Sequence, residues 1–157
     1  MTDSIALLPA VSLLAKYAAK ELSPIEVTGA ALDRIERYNG RFNAFCLIDA
    51  DRALAAAAES EQRYMRGEAK GLLDGVPASI KDLVLTEGWP TGWGSKAAMR
   101  MPPPDVDAPC VARLREHGAR IAWLTRGKSL RRFLMSRFKP PGNRFPELDV
   151  IDEKTAA

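Results

Sequence analysis

The sequence predicts an α/β fold in which N-terminal helices lead into short strands separated by a further helix, followed by a C-terminal tail where the pattern is lost. Three observations carry this. Apolar residues recur at helical spacing as far as residue 66. A period-two alternation replaces that spacing over residues 76–85. A further helix and a second strand-like run then follow, so helix and strand alternate along the chain. The 157 residues suit one domain, and 46% hydrophobic with 27% charged positions is ordinary globular composition. No stretch approaches the ~20 apolar residues that span a bilayer. The apolar run at residues 5–15 follows Asp3 rather than a basic segment, and it reads as a helix, not a signal peptide. Cys46 and Cys110 are isolated and His117 is the single histidine, so the expectation is no metal, no organic cofactor and a reducing cytoplasm.

The first helix is expected over residues 13–21, capped by Ser12, with Leu14, Tyr17 and Ala18 on one face. The next start signal is stronger. Ser23 can cap, Pro24 suits the first helical position, and Glu26 can reach back to the Ser23 N–H as a capping box. Ile25, Leu32, Ile35 and Tyr38 continue that helix until Asn39-Gly40, where it is expected to close. A third helix fits residues 51–66, Ala-rich in its middle and stopped by Gly67.

The middle of the chain changes character. Val76, Ala78 and Ile80 alternate with Pro77, Ser79 and Lys81, which predicts a strand with one face toward a core. Pro77 places it at a strand start or edge. Residues 88–95 form a glycine-rich loop, followed by a short helix through Met99 and a stiff Pro102-Pro103-Pro104 connector. Asp107 is read as the cap of a helix over residues 108–117, with a strand at residues 119–125. Beyond Thr125 the pattern is lost, although residues 126–139 suit a basic amphipathic helix. Charge divides the same way: residues 1–116 hold 14 basic and 16 acidic side chains, and residues 117–157 hold 9 and 4. The net charge of +3 therefore comes from the tail.

The segment Gly71-Leu72-Leu73-Asp74-Gly75-Val76-Pro77-Ala78-Ser79-Ile80-Lys81-Asp82 resembles the amidase signature family. The likeness extends upstream through Glu21-Leu22-Ser23-Pro24-Ile25-Glu26-Val27 and Arg41-Phe42-Asn43-Ala44-Phe45. Downstream it continues through Pro90-Thr91, Gly94-Ser95-Lys96, Asp107-Ala108 and Arg113-Leu114-Arg115-Glu116-His117-Gly118-Ala119. It covers residues 11–122, and it implies that residues 1–122 form the N-terminal part of an amidase domain, with an incomplete part of that family's mixed sheet, and residues 123–157 a basic, divergent, non-matching tail.

The resemblance implies a Ser-Ser-Lys hydrolase of carboxylic amides, in which a serine forms an acyl-enzyme and a second serine relays protons to a lysine. Lys81 matches that lysine. A free lysine has a pKa near 10.4 and is a poor base at neutral pH, whereas burial disfavours the ammonium and yields an amine able to accept a proton. The alternative is a strand-end lysine paired with Asp82 or Glu87. Gly92, Gly94 and Ser95 correspond to a loop that lines the family's substrate pocket, and the same residues suit a plain turn. Trp89 and Trp93 fit either a pocket cover or core packing. Ser79 shares a strand face with Lys81, and His117 reads as a helix-end residue.

The likeness stops at Trp123, where the family has glycine. Its later Gly-Gly-Ser-Ser-Gly-Gly loop, which supplies both serines and the oxyanion hole, has no counterpart. Ser129 and Ser136 lack the neighbouring glycines that let backbone approach an oxyanion. The expectation is a truncated amidase-family protein, inactive by itself, whose tail is not native to the family and fits a changed reading frame or a damaged gene. In intact relatives the partner would be a small-molecule amide, with no metal and no membrane. The alternative is a small basic nucleic-acid-binding or interaction module, in which Arg126, Lys128, Arg131, Arg132, Arg137 and Lys139 contact phosphates and Phe133 and Phe138 stack. A nucleic acid is the lesser reading, because charge runs are usually solvated faces. An interaction protein that pairs with a separately encoded remainder is the third.

Overall fold

The computed structural model describes residues 5–95 and 97–125. The basic tail from residue 126 onward, with the helix expected at 126–139, lies outside the described residues.

Helix α1 runs Ala10–Ala18, earlier than the residues 13–21 expected. Pro9, in an extended conformation, takes the N-cap position and no side chain caps the helix, so Ser12 lies inside it. The end is set by Lys20 in a left-handed conformation, with the Glu21 N–H reaching Lys16 O and the Lys20 N–H reaching Tyr17 O, the Schellman pattern. Helix α2, Pro24–Phe42, has the expected capping box: Ser23 Oγ accepts from Ile25 N at 3.0 Å and Glu26 Oε2 accepts from Ser23 N at 2.9 Å. It does not close at Asn39-Gly40. The Asn39 amide instead holds Phe45, accepting from its N–H at 2.9 Å and donating to its carbonyl at 3.2 Å, while Asn43 takes the left-handed cap. This tie starts β1, Phe45–Ile48, a strand with no counterpart among the expected elements. Helix α3, Ala50–Arg66, is stopped by Gly67 as expected, and Asp49 caps its start by accepting from Arg52 N.

Strand β2 is Pro77–Lys81, shorter than the run of alternation. A tight turn ends it, with the N–H groups of Leu83 and Val84 both donating to Lys81 O at 2.7 and 3.0 Å. A single 3-10 turn at Ala98–Arg100 precedes helix α4, Pro109–Glu116, and strand β3, Arg120–Thr125. Asp107 does not cap α4. Its carboxylate accepts from Glu87 N at 2.8 Å and pairs with Arg115 Nε at 2.7 Å, joining the glycine-rich loop to the helix.

The described strands form one mixed sheet in the order β1-β3-β2, antiparallel between β1 and β3 and parallel between β3 and β2. Ile80, Trp89, Val111 and Ile121 make a core between the sheet and α4. A second cluster joins α2 to α3 through Ile35 and Ala53, and a third holds α1 through Leu13, Tyr17 and Val27.

A charged clamp connects these layers. Asp74 is fully buried and accepts from Arg63 twice, Nε to Oδ2 at 2.8 Å and Nη2 to Oδ1 at 2.7 Å, and from Lys70 N at 2.7 Å. Arg120, at the start of β3, approaches the same carboxylate at 3.7 Å and donates to Ser60 Oγ at 2.8 Å. Gly118 lies against Asp74, and a Cβ there would sit 2.8 Å from Asp74 Cα, so this close approach requires glycine. Burial alone would raise the Asp74 pKa, but the hydrogen bonds from Arg63, Lys70 N and Ser60 outweigh it and hold the carboxyl below its usual range.

Removing one partner of a buried ion pair costs about 3–5 kcal/mol, so Asp74→Asn is expected to lower stability by that order in urea unfolding. A loss below about 1 kcal/mol, the level of an exposed pair, would contradict the clamp. The native pKa is depressed, so the contribution is complete above the unfolded value of about 3.9 and is lost as pH falls through the native value. Acid unfolding of Asp74→Asn is therefore expected to be shallower below about pH 4 than that of the unsubstituted chain.

Candidate active site

Lys81 is the last residue of β2, paired in register with Thr125 of β3. Alternation along the strand buries Ile80 against α4 and turns Lys81 to the other face. Both Ser79 and Lys81 are exposed. The burial that a proton-accepting lysine calls for is thus not provided by the described residues.

Directly after the lysine, Asp82 turns inward and is only 5% exposed. Its Oδ1 accepts from Gly92 N at 2.6 Å and its backbone carbonyl accepts from Trp93 N at 3.1 Å. The glycine-rich loop is therefore pinned to the end of β2, immediately beside the lysine. Gly92 is buried there, and a Cβ would collide with the Met99 side chain and lie 3.0 Å from Asp82 Oδ2. Ser95 N donates to Gly92 O at 2.7 Å, closing a turn that leaves Gly94 and Ser95 exposed. Ser95 Oγ in turn accepts from Ala98 N at 3.5 Å, where the 3-10 turn begins.

The structure thus brings the segment of Gly92, Gly94 and Ser95 to the strand end that carries Lys81. The two tryptophans separate. Trp89 is core, 3% exposed, with the Arg52 guanidinium 5.6 Å from its ring centre. Trp93 is half-exposed on the loop, its indole N–H reaching Leu83 O at 3.4 Å. His117 is the C-cap of α4 and its carbonyl accepts from Leu73 N, a structural position.

Asp82 is the residue that sequence reasoning missed. The spacing offers it only as a partner for Lys81, whereas its oxygen holds a backbone amide ten residues away. A carboxylate next to a strand-end lysine, followed by glycines, was the available signal. A cleft of about 160 Å³ between α1, α2 and α3, lined by Tyr17, Glu21, Pro24, Glu26, Glu61 and Tyr64, includes none of these residues. Among the described residues no three His, Cys, Asp or Glu side chains gather as metal donors, and no helix is long and apolar enough to cross a membrane.

A family model described as Amidase matches residues 26–134, a span that includes β2, the pinned loop and α4. The chain belongs to the amidase family. It is 44% identical over 107 residues to a glutamyl-tRNA(Gln) amidotransferase subunit from Anaeromyxobacter sp. (strain K), an alignment covering 68% of this chain and 22% of that relative. Among solved structures it is similar to the peptide amidase of Stenotrophomonas maltophilia, with 34% identity, a TM-score of 0.68, and coverage of 76% of this chain and 24% of that one. It is also similar to a fatty acid amide hydrolase, with 26% identity and a TM-score of 0.73 over 79% of this chain and 22% of that one. The chain therefore spans about a quarter of the length of these amidase-signature relatives.

If Asp82 pins the loop, Asp82→Ala is expected to speed hydrogen exchange at the Gly92 amide about 10–100-fold, as loss of a hydrogen bond to a charged group implies. Unchanged exchange at Gly92 would show that the loop is held by other contacts.

Proposed function

We propose that this chain supplies the lysine-bearing part of an amidase site that cleaves a carboxylic amide by acyl transfer to serine. Lys81 is the proton acceptor in this reading, and Gly92, Gly94 and Ser95 line the approach of the substrate. The observation that carries it is the placement of Lys81 at the end of β2, beside a loop anchored by Asp82, inside the family match. An amine there needs two further things to act as a base: desolvation, and a hydroxyl within about 2.6–3.2 Å.

Neither comes from the described residues. In the family that the sequence resembles, both serines come from a glycine-serine loop, and this sequence contains no such loop. We therefore infer that this polypeptide is inactive by itself, since a lysine without its nucleophile leaves no acyl-transfer route. The isolated spacing of Cys46 and Cys110 in the sequence supports a reducing cytoplasm as its compartment.

The test is a chimera in which the chain's matched segment replaces the aligned segment of the Stenotrophomonas peptide amidase. The unaltered chain is expected to hydrolyse no peptide amide, and the chimera to do so. Lys81→Ala in the chimera is expected to lower kcat by about 10²–10⁴-fold, the range of a positioned acid–base group. A chimera whose activity survives Lys81→Ala would contradict the assignment.

A further inference from the structure

We infer that residues 145–153 of this chain dock on the face of α2 formed by Arg34, Arg37, Tyr38, Arg41 and Phe42. The inference concerns how the chain folds on itself, and it is independent of the role given to Lys81.

Helical spacing sets the face. The five residues follow at i, i+3, i+4, i+7 and i+8, one stripe of a helix, while Leu32 and Ile35 turn to the core shared with α3. The Tyr38 and Phe42 rings lie 6.3 Å apart and are 38% and 49% exposed. Guanidinium groups lie over both rings: Arg34 and Arg37 stand 5.2 and 6.0 Å from the Tyr38 centre, and Arg41 stands 5.5 Å from that of Phe42. A guanidinium stacked on a ring keeps its N–H edge outward, and it loses little further freedom on pairing with a carboxylate. Three such groups within about 10 Å of helix, with ring edges between them, fit a partner that interleaves carboxylates with aliphatic side chains.

This chain contains such a segment. From His117 to Pro146 there is no acidic residue; then Glu147, Asp149, Asp152 and Glu153 come within seven positions, interleaved with Leu148, Val150 and Ile151. The segment lies beyond residues 26–134 of the family match. The place where the described chain ends brings it within reach. Thr125 pairs with Phe45, just past the last turn of α2 that carries Arg41 and Phe42. At the dimensions of a random coil, the residues between Thr125 and Glu147 span about 25 Å, and the face is only about 12 Å long. Tethering gives the segment an effective concentration of about millimolar, so it occupies the face ahead of a separate acidic chain of similar affinity. One exposed ion pair contributes little, whereas several joined to apolar contact contribute more.

Methyl-to-ring nuclear Overhauser effects in the full chain test this. Cross-peaks are expected from the Leu148, Val150 and Ile151 methyls to the Tyr38 and Phe42 rings, and they are expected to persist on dilution. Glu147→Lys, Asp149→Lys, Asp152→Lys and Glu153→Lys together are expected to abolish them without altering the helix. Adding Arg37→Glu and Arg41→Glu to that variant is expected to restore them. The Gly92 amide shift, set by Asp82, is expected to stay unchanged throughout, as a check that the fold is kept.

Absence of these cross-peaks in the unsubstituted chain would overturn the inference. So would cross-peaks that survive reversal of the segment's charge alone, since apolar contact would then be the whole cause. Cross-peaks lost on dilution would make the occupant a second copy, and contacts of those methyls with residues 126–144 in place of α2 would make it the tail's own basic stretch; either result contradicts the docking described. Each of these outcomes leaves the assignment of Lys81 untouched, and an amidase chimera indifferent to Lys81→Ala would leave this docking standing.

Discussion

The fold depends on one buried carboxylate. Asp74 lies in the turn between α3 and β2, and its ion pair with Arg63 fixes the end of the long helix against the start of the strand. Arg120 brings β3 to the same point, and Gly118 lets the backbones approach without a side chain between them. A buried charge without a partner is costly, so the arrangement tolerates little displacement. The Tyr64 hydroxyl, donating to Asp74 O at 3.0 Å, extends the anchor toward α1 through the tilted Tyr17 ring 5.4 Å away.

From that anchor β2 runs five residues to Lys81, and a second carboxylate takes over. Asp82 turns inward where Lys81 turns outward, and its bond to Gly92 N ties the loop to the end of the strand. The two aspartates thus do the same work at opposite ends of one short strand: each fixes a glycine-containing turn that side chains would otherwise keep apart. The outcome is a lysine on a rigid element, next to a positioned loop, on a face the described residues leave open.

What the sequence made legible was local. The capping box at Ser23, the stop at Gly67 and the strand start at Pro77 depend on neighbours within a few residues, and each appears as expected. β1 was not legible. Its four residues are too few to show a period, and its pairing is with β3, as in Phe45 opposite Thr125. Asp107 misled for the same reason, since an aspartate just before Ala-Pro suits a helix cap while its actual partners, Glu87 N and Arg115, are fixed by tertiary packing. At the site, Lys81 was visible through the motif around it. Asp74 and Asp82 stood in that motif too, but their roles lie in contacts across the fold that no spacing announces.

The central claim is that the amine of Lys81 meets the hydroxyl of the proton-relaying serine once the rest of an amidase-family site is present. The most direct measurement is a crystal structure of the chimera that carries this chain's segment, read for the distance from Lys81 Nζ to the nearest seryl oxygen. The account expects a buried amine within hydrogen-bond reach of that oxygen, about 2.6–3.2 Å. A Lys81 side chain that still extends into solvent, with no serine near it in the completed site, would contradict it.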